Sequence, residues 1–152
     1  MLKKIIRDQS GNLLITLLVS CSIIALLATI SMPYIRQYQP NMKLSATARE
    51  MAADLRYAQQ LTITEQVTHS VQFDFSNDKY NIRRLTGVAT TTIKTVEFDP
   101  SVAFQQITGF TDDEVRFNSY GAVSESGDVT LINTNSKTMI INIKPSGYVQ
   151  VQ

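Results

Sequence analysis

Cysteine, histidine and tryptophan are nearly absent from this sequence: one Cys, one His and no Trp among 152 residues. The single Cys21 excludes a disulfide within the chain and a cysteine-based zinc cage. Any exported part must therefore hold together by core packing, for which the residues after Pro40 suffice. His69 stands alone and reads as a structural or surface residue. The chain has no Gly-rich phosphate loop, no metal ligands paired at helical spacing and no serine in a nucleophile elbow. No enzyme, cofactor or metal is expected. The net charge of +1 gives no overall pull toward nucleic acid or an acidic partner.

Charge is also missing locally. No charged residue occurs between Asp8 and Arg36. Leu13 to Met32 is an apolar run of 20 residues, about 30 Å as a helix and enough to cross a bilayer. Lys3, Lys4 and Arg7 precede it, which keeps the N-terminus cytoplasmic and sends the bulk of the chain across the membrane. Three readings are open for this segment. It is a signal peptide, for which Leu26-Leu27-Ala28 is a passable cleavage site; it is a plain anchor; or it is a helix retained in two environments. Cys21, Ala25 and Thr29 recur at a spacing of four and allow close helix–helix approach in lipid. Pro33 lacks an N–H and crowds the preceding turn, so it can kink or locally melt the helix. Pro40-Asn41 predicts a break or bend.

From residue 41 to 64 the pattern is that of an amphipathic helix. Leu44, Ala48, Met51, Leu55, Ala58 and Thr62 form its apolar stripe, with Arg49, Glu50 and Arg56 largely off it. Beyond Thr64 the period becomes two. Val71, Phe73 and Phe75 alternate with polar residues, Asn77-Asp78 turns the chain, and Tyr80 with Ile82 begins a return strand. Thr86 to Thr95 is Thr-rich and reads as loop or edge. Further strands are predicted around Val96–Phe98, Val102–Phe104, Val115–Phe117, Val129–Ile132, Met139–Ile143 and Tyr148–Val151. Asn118–Gly121 is a turn, and Pro145-Ser146-Gly147 suits a turn with Pro second. The fold class is α+β: a long N-terminal helix, membrane-spanning in its first half and amphipathic in its second, packed on a β-rich antiparallel head. The divisions are a leader at 1–11, a membrane helix at 12–40 and a head at 41–152, with its helix at 41–64 and its sheet at 67–152.

Two acidic stretches carry oxygen ligands of the kind that hard cations use. Thr111-Asp112-Asp113-Glu114 also matches a capping box or a solvated loop. Asp74 with Asn77-Asp78 flanks a hairpin turn, where such residues are expected anyway. Arg83-Arg84 is the one adjacent basic pair in the head and reads as a solvated strand edge.

The Lys3-Lys4 leader, Gly11, the apolar helix and Pro33, 22 residues beyond that Gly, together resemble the N-terminus of type IV pilins and pseudopilins. The head pattern, with Phe117, Gly121, Leu131, Ile141, Ser146, Gly147 and Val149, resembles the minor pseudopilin GspH and the minor pilin FimT. The resemblance implies that a prepilin peptidase cuts after Gly11 and that Asn12 is then N-methylated. It implies a single-pass protein of the bacterial inner membrane with a periplasmic head, drawn into a pilus or pseudopilus. Expected partners are the peptidase, other major and minor pilins or pseudopilins, and an inner-membrane assembly platform. Thr16, Cys21, Ala25, Thr29 and Pro33 are the expected assembly residues. The family usually has Phe first in the mature chain and Glu fifth; here they are Asn12 and Thr16. In the family that buried Glu is thought to pair with a neighbour's amine, and its loss is associated with a subunit at the filament tip. The implied function is a minor pilin or pseudopilin, structural in a type II secretion pseudopilus or a type IV pilus. The alternative is a tip binding module, an adhesin or DNA-uptake receptor. The stretch matching the DNA-binding tail of FimT-like members, Gly147 to Gln150, carries no Arg or Lys, so nucleic acid is not an expected partner.

Overall fold

A computed structural model describes residues 12–87 and 89–152 in full. The leader, with the cleavage expected after Gly11, lies outside them. The chain divides into two units, Met1–Tyr38 and Gln39–Gln152. Helix α1 is Leu2–Glu65, its described part being 12–65.

In the first unit the chain from Asn12 to Tyr38 is helical and exposed throughout. Its backbone groups pair within α1 itself, as in any α-helix. α1 also passes through Pro33 and Pro40 without interruption, where the sequence predicts a break or bend at Pro40-Asn41. A proline deletes one i→i−4 hydrogen bond and crowds one turn, and the bonds on either side carry the helix across. Asn41 is further held by Asn133, whose amide Nδ2 donates to its Oδ1 over 2.8 Å.

The second unit is the predicted α+β head. Leu44, Ala48, Met51, Leu55, Ala58 and Thr62 are all buried, as the stripe requires, joined by Ala52. Against them lie two four-stranded antiparallel sheets. The first contains β1 (Thr68–Asp74), β2 (Lys79–Thr86), β3 (Ala89–Glu97) and β5 (Glu114–Phe117), in the order β3-β2-β1-β5. The second contains β4 (Val102–Thr108), β6 (Gly127–Asn133), β7 (Thr138–Ile143) and β8 (Val149–Val151), in the order β4-β6-β7-β8. One apolar core joins helix and sheets, with Val71, Tyr80, Ile82, Phe117, Leu131 and Ile141 fully buried within it.

Alternation fixes which side chains enter that core, since neighbouring strand residues face opposite ways. Val71 and Phe73 of β1 are buried, but Phe75 falls past the strand end and is about half exposed, with its ring lying 6.2 Å from that of Phe104. The Thr-rich stretch is an edge strand: β3 borders only β2. Its pairing with β2 carries a bulge between Ile82 and Arg83.

The Arg83-Arg84 expectation is corrected. Both arginines lie on β2, which is paired on both sides, by β1 and β3. Their side chains are half-buried and matched to carboxylates: Arg83 Nη2 is 2.8 Å from Glu114, and Arg84 Nε is 3.2 Å from Glu65.

Candidate assembly site

The expected assembly residues Thr16, Cys21, Ala25, Thr29 and Pro33 share one exposed helical segment. Cys21, Ala25 and Thr29 follow one another at a spacing of four and so lie on one face. The hydroxyls are the notable polar groups in this apolar stretch, and each is satisfied locally. Thr16 Oγ1 donates to the Asn12 carbonyl over 2.9 Å, Ser20 to Thr16, Ser22 to Leu18, Thr29 to Ala25 and Ser31 to Leu27. Each bond reaches back four residues. Back-bonding of this kind spends the hydroxyl hydrogen inside the helix, so none of these Ser and Thr side chains carries an unmet donor into lipid or a helix interface. The lone pairs on oxygen stay available. Thr16 can thus accept one hydrogen bond from a neighbouring group, but it carries no charge to neutralise an amine. By length and composition, α1 contains a stretch apolar enough to cross a membrane.

One buried set of polar groups in the head lies at the seam between helix and first sheet. Asp54 lies within the apolar stripe, three residues after Met51 and four before Ala58, and is almost wholly buried. Tyr80 Oη donates to Asp54 Oδ2 over 2.7 Å, and Lys94 Nζ donates to both carboxylate oxygens over 2.9 and 2.7 Å. Burial, the bond to Asp54, and the charges of Asp54 and Glu50 together push the Tyr80 phenol far above its ordinary range. Lys94 belongs to edge strand β3, so this network fastens the sheet edge to the helix. A carboxylate at a stripe position is the signal by which the sequence points to such a partner.

Glu114 is the second buried carboxylate. It accepts hydrogen bonds from Arg83 Nη2 at 2.8 Å and Arg116 Nε at 2.7 Å. Burial alone would raise its pKa, but the Ser70 hydroxyl beside it, with the bond from Arg116 and the charges of Arg83 and Arg116, wins and holds it below the ordinary value. This overturns the capping-box reading of Thr111–Glu114. The residues form a short 3₁₀ turn without a side-chain cap. The Thr111 hydroxyl instead bonds Glu125 at 2.7 Å. Among the described residues no three His, Cys, Asp or Glu side chains come together as a metal site.

The two predicted glycine turns meet each other. Asn118–Gly121 is closed by Gly121 N–H to the Asn118 carbonyl, 2.7 Å, and Lys144–Gly147 by Gly147 N–H to the Lys144 carbonyl, 2.8 Å. Pro145 therefore sits second in its turn, as the sequence indicates. A Cβ added to Gly147 would lie 2.1 Å from the Gly121 carbonyl oxygen and 2.4 Å from Gln59 Nε2. Gln59 in turn donates to that carbonyl over 2.7 Å, and Arg56 Nη2 to the Val149 carbonyl over 2.8 Å. Gly121 and Gly147, named above among the head-pattern residues, thus share one nest against the helix. Tyr120 stands at the tip of this nest, 93% exposed.

An amphipathic helix covering two antiparallel sheets, continuous in sequence with an apolar span, is the architecture of pilin-type subunits. The family model for the type II transport protein GspH matches residues 47–147, and the chain belongs to that family. Its fold is similar to the minor pseudopilin EpsH from the type 2 secretion system of Vibrio cholerae, with a TM-score of 0.62 at 9% identity, covering 72% of this chain and 96% of that one. It is similar also to the type IV minor pilin FimU of Pseudomonas aeruginosa, with a TM-score of 0.62 at 14% identity, covering 76% and 91% respectively. At these identities the likeness is one of fold. No curated protein matches the chain.

Proposed function

We propose that this chain is a minor pilin or pseudopilin, a structural subunit of a type II secretion pseudopilus or a type IV pilus. The observation that carries this reading is the pairing of a GspH-family head with a helix, 12–38, that exposes apolar side chains and satisfies its Ser and Thr hydroxyls internally. Such a helix suits a bilayer and a packed filament centre equally. In this reading a prepilin peptidase cuts after Gly11, Asn12 is N-methylated, and the helix holds the subunit in the inner membrane with its head in the periplasm. The assembly platform and other pilins or pseudopilins then draw it into the filament. Thr16 in place of the family's Glu favours a place at the tip, where no subunit lies ahead to supply an amine. The role is structural rather than enzymatic.

A tip binding module is the second reading. It is favoured by Tyr120, a nearly free aromatic on a turn held rigid by the glycine nest.

Intact mass and N-terminal sequence of the protein from its native membrane test the proposal. A start at N-methylated Asn12 is the expected result. A start at Met1 would make the segment a plain anchor, and a start at Thr29 would make it a discarded signal peptide; either would refute the filament reading.

A further inference from the structure

We infer that Glu65, His69 and Arg84 form a proton-operated clasp at the joint between the end of α1 and strand β1. The starting point is an unfinished set of contacts. The His69 side chain is 0% exposed. Its Nδ1 lies 2.8 Å from the Val67 carbonyl oxygen. A carbonyl only accepts, so Nδ1 carries the hydrogen, and in the neutral ring Nε2 is a bare lone pair. That lone pair is buried, makes no hydrogen bond, and lies 3.5 Å from Glu65 Oε2, another acceptor. Arg84 Nε approaches the same oxygen at 3.2 Å and also completes no hydrogen bond.

Two buried polar nitrogens thus converge on one carboxylate oxygen without a bond between them. Buried groups left in this state are rare and costly. A single proton on Nε2 resolves the arrangement. It converts a lone pair facing a carboxylate into a charge-assisted N–H donor aimed at it.

The groups around the ring decide how readily that proton is taken up. From α1 come the Glu65 carboxylate, which favours it, and the Thr62 hydroxyl, which accepts the His69 backbone N–H over 3.2 Å. From β2 comes Arg84, directly opposite His69 in the strand register, which opposes it. From β5 comes Phe117, opposite on the other side and apolar. The clasp therefore has one favourable and one unfavourable charge. Protonation tightens the chain between helix and sheet across Gln66, which is in the left-handed region at φ 55°. Acid fastens this joint. The inference concerns the head alone and stands apart from the filament reading.

His69 is the sole histidine, so every imidazole ¹⁵N signal of the full chain in detergent micelles reports on it. The test is a titration of the ¹⁵N-labelled protein from about pH 8 to about pH 5, the span in which imidazoles change charge. We expect the Nδ1–H tautomer at the alkaline end and a hydrogen gained at Nε2 on acidification. Glu65→Gln should lower the imidazolium-to-imidazole ratio at a given pH, because an opposite charge facing the ring is lost. Arg84→Gln should raise it. An Nε2–H tautomer at the alkaline end, a ring neutral throughout, or an unchanged ratio in Glu65→Gln would each overturn the clasp. The wild-type tautomer decides the matter even if a variant does not fold.

Discussion

Substituting Gly147 by alanine tests whether the glycine nest holds the head together. Two effects act at this position. The backbone φ is +79°, a region where an L side chain costs about 1–2 kcal/mol. The added methyl also stiffens the unfolded chain, offsetting about 0.4–1 kcal/mol. Were that all, the net loss would be under about 1.5 kcal/mol. The new Cβ, however, would sit 2.1 Å from the Gly121 carbonyl oxygen, a backbone atom that already accepts from Gln59. Relieving that contact means parting the two turns by about 1 Å, which adds an overpacking cost of about 1–3 kcal/mol and weakens a hydrogen bond worth about 1 kcal/mol. The expected total is about 3–5 kcal/mol. Gly87 supplies the control: its φ is +57°, yet nothing lies within 4 Å of its Cβ position. Gly87→Ala should cost only the conformational part. Urea unfolding of each full-chain variant in micelles, followed by near-ultraviolet circular dichroism, reads the head through the fully buried Tyr80, since Tyr34 and Tyr38 of the apolar helix are exposed. With a slope of about 1–1.5 kcal/mol/M, the Gly147→Ala midpoint should fall by about 2–5 M and that of Gly87→Ala by less than about 1.5 M. Equal midpoints for the two variants would refute the reasoning.

Two further outcomes follow from the same structure. Asp99 has its pKa held down to about 2 from 3.8, first by the bond from Lys43 and then by those from Ser101. Because its folded value lies below the unfolded one, the stabilisation is complete above the unfolded value and is lost as pH falls through the folded one. Asp99→Asn should therefore lower the urea midpoint near neutral pH and make no difference below about pH 2. Thr16→Glu should change incorporation of the subunit into filaments, since a carboxylate placed among apolar helices demands a partner charge; unchanged incorporation and unchanged piliation or secretion would argue against a tip role.

Much of the head was legible because its signals are local. The stripe from Leu44 to Thr62 is a property of one helix, and each of its members is buried. The turns at Asn77-Asp78 and Pro145–Gly147 follow from residues two or three apart. What escaped depends on pairing between distant segments. Arg83-Arg84 reads as an edge only while the neighbours of its strand are unknown, and β3 on one side with β1 on the other make it interior. Thr111–Glu114 matches a cap by spacing, but Glu114 finds Arg83, 31 positions away, a stronger partner than a backbone N–H. The turn that follows Pro40 is anchored in the head through Asn41 and Leu44, contacts that no local rule contains. Within 12–38, by contrast, back-bonding of the Ser and Thr hydroxyls is a local consequence of those residues in a helix.

The two stretches of α1 meet opposite physical demands, and this separates the ways they can fail. From Leu44 to Thr62 the helix is one wall of a core, and a cavity or a clash there costs folding free energy. From Asn12 to Tyr38 no side chain is buried, so a substitution removes no packing from the folded subunit and acts only when lipid or another helix covers it. Head stability and assembly should accordingly respond to different residues. Gly147→Ala belongs to the first class and Thr16→Glu to the second. A Thr16→Glu subunit should unfold in urea at the wild-type midpoint while its incorporation changes, because its hydroxyl touches only the Asn12 carbonyl one turn back. If the midpoint moved as well, the apolar stretch would be contributing to the head's own fold, and the division of labour along α1 would be wrong.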